Sequence, residues 1–358
     1  MARIALDAMG GDFAPHAPVA GALHALKELG PEHTIQLVGR TEVVRAQLDE
    51  LMAGDLAHLR GVSDRLEVVE APEVIGMTDK PSAGLRGKPD SSMIVGIRMH
   101  AEGRSDAFVS AGNTGAQMAA STLLLRLHAG LTRPAIATLF PTAREPIVVL
   151  DSGANVDCSS QELVQFARLG SVYAEYMLGR EHPVVGLLSI GEEAGKGNIA
   201  VKEANQLLRN GAAGINFQGN VEGRDLPLGE SGRGSFDVVV CDGFVGNVLL
   251  KFYEGIAPMV VGMIGEHTGL DRAQLDSAIK RLDYSEYGGA PLLGVRGVSI
   301  ISHGSSSARA IKNAVHVAVR AVESRLSDHV GQRLASAMPT TTPGIVPAAG
   351  PQAAGGAA

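Results

Sequence analysis

The chain has 358 residues, enough for one large domain or two closely joined ones, and its 45% hydrophobic and 19% charged residues describe a compact globular protein. A net charge of −7, with 4% aromatic residues and no Trp, counts against a general nucleic-acid binder and against a base-stacking platform. Two isolated cysteines, Cys158 and Cys241, form neither a disulfide framework nor a zinc motif and fit a reducing compartment.

Short β-branched runs alternate with helical patterns along the chain. Strands are expected at 3–9, 34–39, 66–71, 107–111, 135–140, 146–151, 184–190, 215–219, 236–242 and 298–303. Helices are expected near 18–29, 41–52, 91–102, 114–128, 160–178, 198–210, 244–265, 271–281 and 306–326. Several strands are apolar without alternation, as in strands covered on both faces, so the pattern predicts an α/β fold with a largely parallel sheet. Residues 1–326 read as the folded part, one domain with room for two joined lobes. Residues 327–358, ending in "MPTTTPGIVPAAGPQAAGGAA", read as a disordered Pro/Ala/Gly-rich tail. The first strand begins without a basic segment and apolar core before it, and no run of about 18 apolar residues occurs; the expectation is a cytoplasmic chain with no secretory signal or membrane span.

Glycine is in excess, at 45 residues, against a usual share of about 7%. Most of it falls in turns at the carboxyl ends of expected strands, where open α/β sheets bind ligands: "DAMGGD", "SAGNTGA", "LDSGANVDC", "SIGEEAGKGN", "GNVEGRD", "CDGFVGN" and "SHGSSSARAIK". The dinucleotide fingerprint fails, because glycines counted from Gly10 would be needed at Asp12 and Pro15. "GEEAGKGN" is one residue too short for a phosphate loop, and G-x-S-x-G is missing. The remaining chemistry is anion binding by backbone and single side chains. Ser305 and Ser306 precede a helix and can cap it or hold a phosphate; Asn113 and Thr114 open another helix with the same two readings. Lys196 in its glycine loop is an anion candidate, and His303 a base, a donor or a structural histidine. Asp7 and Asp12 flank Gly10 and Gly11 as turn braces, acid–base groups or metal ligands, bracing being the preferred reading. Asp242 is placed similarly. Cys158 lacks a neighbouring His and is a poor nucleophile candidate.

These turns in this order, with "LDYSEYGGAPLLGV...SHGSSSARAIKNA", resemble the PlsX family of phosphate acyltransferases over residues 2 to about 326. The resemblance implies a three-layer α/β/α sandwich related to isopropylmalate dehydrogenases and phosphate acetyltransferases, in a homodimer. It implies transfer of a fatty acyl group from acyl carrier protein to inorganic phosphate, giving acyl phosphate for the glycerol 3-phosphate acylation of bacterial phospholipid synthesis. It calls for no metal and no cofactor. Ser152 stands where a Val or Ala is expected. Under this reading Lys196, Asn113 and His303 are the catalytic candidates. Ser305, Ser306, Thr114 and Asn247 contact phosphate or the oxyanion, while Asp7, Gly10, Gly11, Asp12, Asp242 and Asn220 shape the crevice. Arg309, Lys312, His316 and Arg320 share one helix face suited to an acidic carrier. Residues 256–265 are apolar enough to pack a dimer or touch a membrane peripherally, near a membrane-bound glycerol-3-phosphate acyltransferase. Three other readings are a phosphate acetyltransferase using acyl-CoA, a decarboxylating dehydrogenase, and a noncatalytic carrier-binding or membrane scaffold.

Overall fold

The computed structural model describes residues 1–211, 214–268 and 288–336. Its first strand, β1 (Arg3–Asp7), buries Ile4, Ala5 and Leu6 completely. It pairs in parallel with β2 (Thr34–Gly39) and β4 (Ala107–Ser110); β3 (Leu66–Glu70) extends one edge. Beyond β4 lie β14 (Ser299–Ile301), still parallel, then β13 (Ala290–Leu293) and β5 (Ala135–Ile136), each antiparallel to its neighbour. The order in this seven-stranded sheet is β3-β2-β1-β4-β14-β13-β5. A second sheet has the order β6-β7-β12-β8-β9, with β6 (Thr138–Phe140) antiparallel to β7 (Ile147–Leu150). Its other strands, β12 (Val238–Val240), β8 (Val184–Leu188) and β9 (Asn216–Val221), run parallel. Between β9 and β12 a short hairpin joins β10 (Glu230–Ser231) to β11 (Gly234–Ser235). The α/β class and parallel pairing agree with the sequence reading.

The expected strand 135–140 is where the two sheets meet. Ala137 breaks it: Ile136 pairs with Leu292 in the first sheet, Thr138 with Val149 in the second, and the Ala137 N–H donates to Pro291 O at 3.1 Å. Strand β13 escapes sequence reading because its run, "APLL", is short and has a proline inside.

The helices are α1 (His16–Glu28), α2 (Thr41–Ala53), α3 (Pro81–Gly87), α4 (Ser92–Ala101), α5 (Thr114–Leu124), α6 (Ser160–Leu178), α7 (Ile199–Arg209), α8 (Gly243–Thr268), α9 (Ala308–Glu323) and α10 (Leu326–Ser336). Helix α6 starts with a reciprocal capping box, Ser159 with Glu162, and stops at Gly179 in the left-handed region. Helix α9 is strongly amphipathic and buries Ile311, Ala314, Val315, Ala318 and Val319 against the first sheet and α1.

Helix α10 corrects the tail boundary at 327. Leu326, Val330 and Leu334, spaced four apart, are buried, and His329 stacks on Tyr176 of α6 at 3.7 Å while Arg333 pairs with Glu175 at 2.6 Å. Three apolar residues in a polar stretch are enough for a docked helix, because α6 supplies the surface. The rest of the assigned tail, 337–358, and the helix expected at 271–281 lie outside the described residues. Among the described residues no helix is long and apolar enough to cross a membrane.

Candidate active site

The turn after β1 is a braced wall. Asp7 is buried; its Oδ1 accepts from Met9 N at 3.0 Å and its Oδ2 from Ser110 Oγ at 2.7 Å. Burial pushes this carboxyl above the usual aspartate range, opposed by bonds from Ser92, Ser110 and the amides of Met9 and Gly10. A Cβ on Gly10 would lie 2.6 Å from Asp7 Oδ2, so only glycine fits. Gly11, at φ 98°, turns the chain so that Asp12 N–H donates to Gly304 O at 2.7 Å, tying this turn to the serine turn. The Asp12 side chain itself is exposed.

Asn113 is similarly spent. Its Oδ1 caps α5 through Ala116 N at 3.0 Å, and its Nδ2 faces the carbonyls of Met77 and Asp79 at 3.1 and 3.0 Å. Every polar atom of that side chain is engaged in hydrogen bonds within the protein. Thr114, the next residue, is exposed and lines a cavity described below.

In the second sheet, Asp151 follows β7 and accepts from Ile136 N, Ala154 N, Asn155 N and Asn155 Nδ2 at 2.6–3.1 Å. Burial raises its pKa against those bonds. Helix α8 is pressed onto this knot: a Cβ on Gly246 would fall on Asp151 O, and Asp242 caps the helix through Val245 N at 2.8 Å. That contact sets the helix phase. Asn247, Lys251 and Glu254, at spacings of four and three, therefore face the crevice.

The crevice holds a cavity of about 300 Å³ whose walls come from both sheets: Thr114 and Ile301 on one side, Thr138 and Ser152 on the other, with Asn247, Lys251 and Glu254 of α8 and His303 at its end. A second cavity of about 260 Å³ adjoins it, sharing Glu254, Ser302 and His303 and reaching Ser305, Ser306 and Ser307. His303 Nδ1 lies 2.7 Å from Ser305 Oγ, and its Nε2 3.4 Å from Lys251 Nζ. Lys251 also pairs with Glu254 at 2.7 Å. An ammonium only donates, which calls for a bare Nε2, whereas Ser305 N–H points at Nδ1 at 3.3 Å, which calls for a bare Nδ1; the two contacts compete for the one ring proton. Ser306 N–H donates to His303 O at 2.9 Å, and Ser307 caps α9 through Ala310 N at 3.3 Å.

Two expected ligands stand elsewhere. Lys196 is exposed on the loop between β8 and α7 and lines neither cavity. Asn220 is fully buried and holds that loop in shape, donating to Gly191 O and Glu193 O at 3.2 and 2.8 Å and accepting from Asn205 Nδ2 at 2.7 Å. Sequence reasoning missed Lys251, Glu254, Thr138, Ser302 and Asp151. No local sequence signal marks Lys251, which lies two turns into α8. Both cysteines are held as thiols: burial pushes Cys158 up to about 12, and Cys241 well above its ordinary value.

One cluster among the described residues, Glu32, His33 and Glu323, has metal-ligand spacing. His33 Nδ1 accepts from Ala2 N at 3.2 Å, so Nε2 carries the proton it points at Glu32 and Glu323, 3.1 and 3.4 Å away. A nitrogen bearing that proton is no metal ligand, and the cluster ties the start of β1 to α9.

The fold is that of solved phosphotransacetylases. EutD phosphotransacetylase from Staphylococcus aureus matches with a TM-score of 0.58 and 16% identity, covering 90% of this chain and 94% of that one. The family described as "Fatty acid synthesis protein" matches residues 2–329. "Phosphate acyltransferase" from Desulforamulus reducens is 49% identical over 343 residues, 93% of this chain and 98% of the relative. The protein of the same name from Heliobacterium modesticaldum is 50% identical over 331 residues, 90% and 94% of the two chains. This chain belongs to that family, the PlsX phosphate acyltransferases, and is an acyltransferase.

Proposed function

We propose that this enzyme moves a fatty acyl group from the thioester of acyl carrier protein to inorganic phosphate, and that the acyl phosphate it releases goes to a membrane-bound glycerol-3-phosphate acyltransferase. The observation that carries the reading is the Lys251 ammonium: one N–H is taken by Glu254 and one by His303, and the third is left for an anion beside the serine turn. An oxygen of hydrogen phosphate attacks the thioester carbon, a tetrahedral oxyanion forms, and the C–S bond breaks. The proton of the hydrogen phosphate ends on the thiolate, whose thiol has an ordinary pKa near 8.5. His303 is positioned to pass that proton. No acyl-enzyme is needed, in keeping with two thiols held protonated.

The carrier reading rests on α9. Lys312 and His316 of the expected basic face are bound to Glu28 at 2.8 and 3.0 Å, and its other two members, Arg309 and Arg320, are exposed. The test is phosphate-dependent thiol release from long-chain acyl carrier protein and from acyl-CoA at equal concentration. The carrier is the faster donor if the reading holds, and Arg309→Glu with Arg320→Glu raises its Michaelis constant. Faster turnover of acyl-CoA would move the function to the acetyltransferase kind. Thiol release from neither donor would leave a carrier-binding scaffold.

Helix α8 also presents Phe244, Val248, Phe252 and Met259 along one flank, each more than half exposed. A stripe of that size is covered in a stable protein. A second copy of the chain is its proposed cover, with a peripheral membrane contact as the competitor; sedimentation of Phe252→Asp as a monomer would favour the dimer.

A further inference from the structure

Two residues that line the crevice carry buried hydroxyls with no hydrogen-bond partner in the structure. Thr138 is 2% exposed and Ser302 3%, and neither Thr138 Oγ1 nor Ser302 Oγ has a hydrogen-bond partner. Both residues line the 300 Å³ cavity, Thr138 from the second sheet and Ser302 from the end of β14 in the first. The wall is not short of partners in general: Ser152, in the same cavity, donates to Val149 O at 3.2 Å. A buried hydroxyl left unpaired is unfavourable by roughly 1–3 kcal/mol, so two on one cavity require an explanation.

We infer that Thr138 and Ser302 are the oxyanion donors of the acyl-transfer step, giving their O–H groups to the carbonyl oxygen of the thioester as it takes on negative charge. This rests on the acyl-to-phosphate reading above. Thr138 lines only the first cavity, while Ser302 lines both and stands between the acyl end and the phosphate. Ile136, Ala290, Ile301 and Leu250 line the first cavity and suit the acyl end of the substrate, while the cation and the serine turn lie around His303. Uncharged donors among apolar side chains are matched to an oxygen that is neutral in the bound thioester and charged only in the transition state. As phosphate oxygen bonds to the carbonyl carbon, the carbonyl π electrons move onto this oxygen; they return when the C–S bond breaks and the sulfur leaves with its electron pair. Neither hydroxyl gives up its proton.

The experiment compares wild type, Thr138→Val, Ser302→Ala and Thr138→Ser in steady-state kinetics and thermal unfolding. Loss of one such donor lowers kcat by about 10²-fold, with the Michaelis constant for phosphate within about twofold of wild type. Thr138→Ser recovers most of the rate. The thermal midpoints of Thr138→Val and Ser302→Ala stay level or rise, because an unpaired buried hydroxyl is removed. A phosphate Michaelis constant raised at unchanged kcat would make these groups phosphate ligands, and unchanged kinetics or a lowered midpoint would make them structural; each result overturns the inference. Wild type runs in the same assay, so absent wild-type turnover would mark failure of the underlying reading, whereas normal wild type beside unaffected variants would sink the oxyanion role alone.

Discussion

The turns braced by Asp7 and Asp151 and the crevice around Lys251 and His303 lie at the same carboxyl-end side of the strands, yet their hydrogen bonding is opposite. Asp7, Asp151, Asn113 and Asn220 have their polar atoms committed to backbone and neighbouring side chains. Lys251 retains a donor, and Thr138 and Ser302 have no partner at all. Polar groups that close their own bonds hold a site in shape. Under the inference above, those at the crevice with bonds left over are completed by a ligand.

The sharpest way to break that contrast is Asp151→Ala, which strips the acceptor from four donors. It is expected to lower unfolding free energy by about 3 kcal/mol or more, read by urea denaturation; a small loss would mean that Asp151 is no keystone. Next is Lys251→Met, expected to lower kcat/KM for phosphate by roughly 10- to 100-fold with an unchanged denaturation midpoint. If stability falls instead, Lys251 belongs with the scaffold.

A smaller effect separates the two groups by pH. Folded Asp7 keeps its proton to higher pH than the ordinary value of 3.8. The stability tied to that proton is complete below the unfolded value and is lost as pH rises through the raised folded value. Asp7→Asn should therefore gain stability relative to wild type as denaturation is repeated from about pH 3.5 to about pH 7. A pH-independent difference would show that Asp7 is not held up by burial. The smallest expected change is at Lys196→Ala, where the Michaelis constant for phosphate should stay within about twofold; a tenfold rise would bring its loop back into the site.

The sequence exposed the strand ends and the glycine turns, because apolar runs and turn residues are local signals. His303, Thr114, Asn247 and the serine turn were accessible for the same reason, since each sits within a few residues of a strand end. Lys251 and Glu254 were not, because they lie two and three turns into α8. Only the contact of Gly246 with Asp151 decides which face of that helix meets the crevice. Lys196 is exposed and lines neither cavity, and a lysine among glycines looks alike in sequence whether its loop covers a ligand or faces solvent. The division at Ala137 leaves no trace in "AIATLF", a pattern compatible with one uninterrupted strand.

That division limits how the crevice can open. Ile136 and Thr138 both line the cavity, belong to different sheets, and have one residue between them. Two residue steps of extended chain span at most about 7 Å, so the cavity floor keeps a fixed width whatever the lobes do. A tilt about this short segment would spread α8 and the serine turn from the opposite wall while Ile136 and Thr138 stay close together. A ligand that enters at the rim then meets a floor of the same dimensions each time.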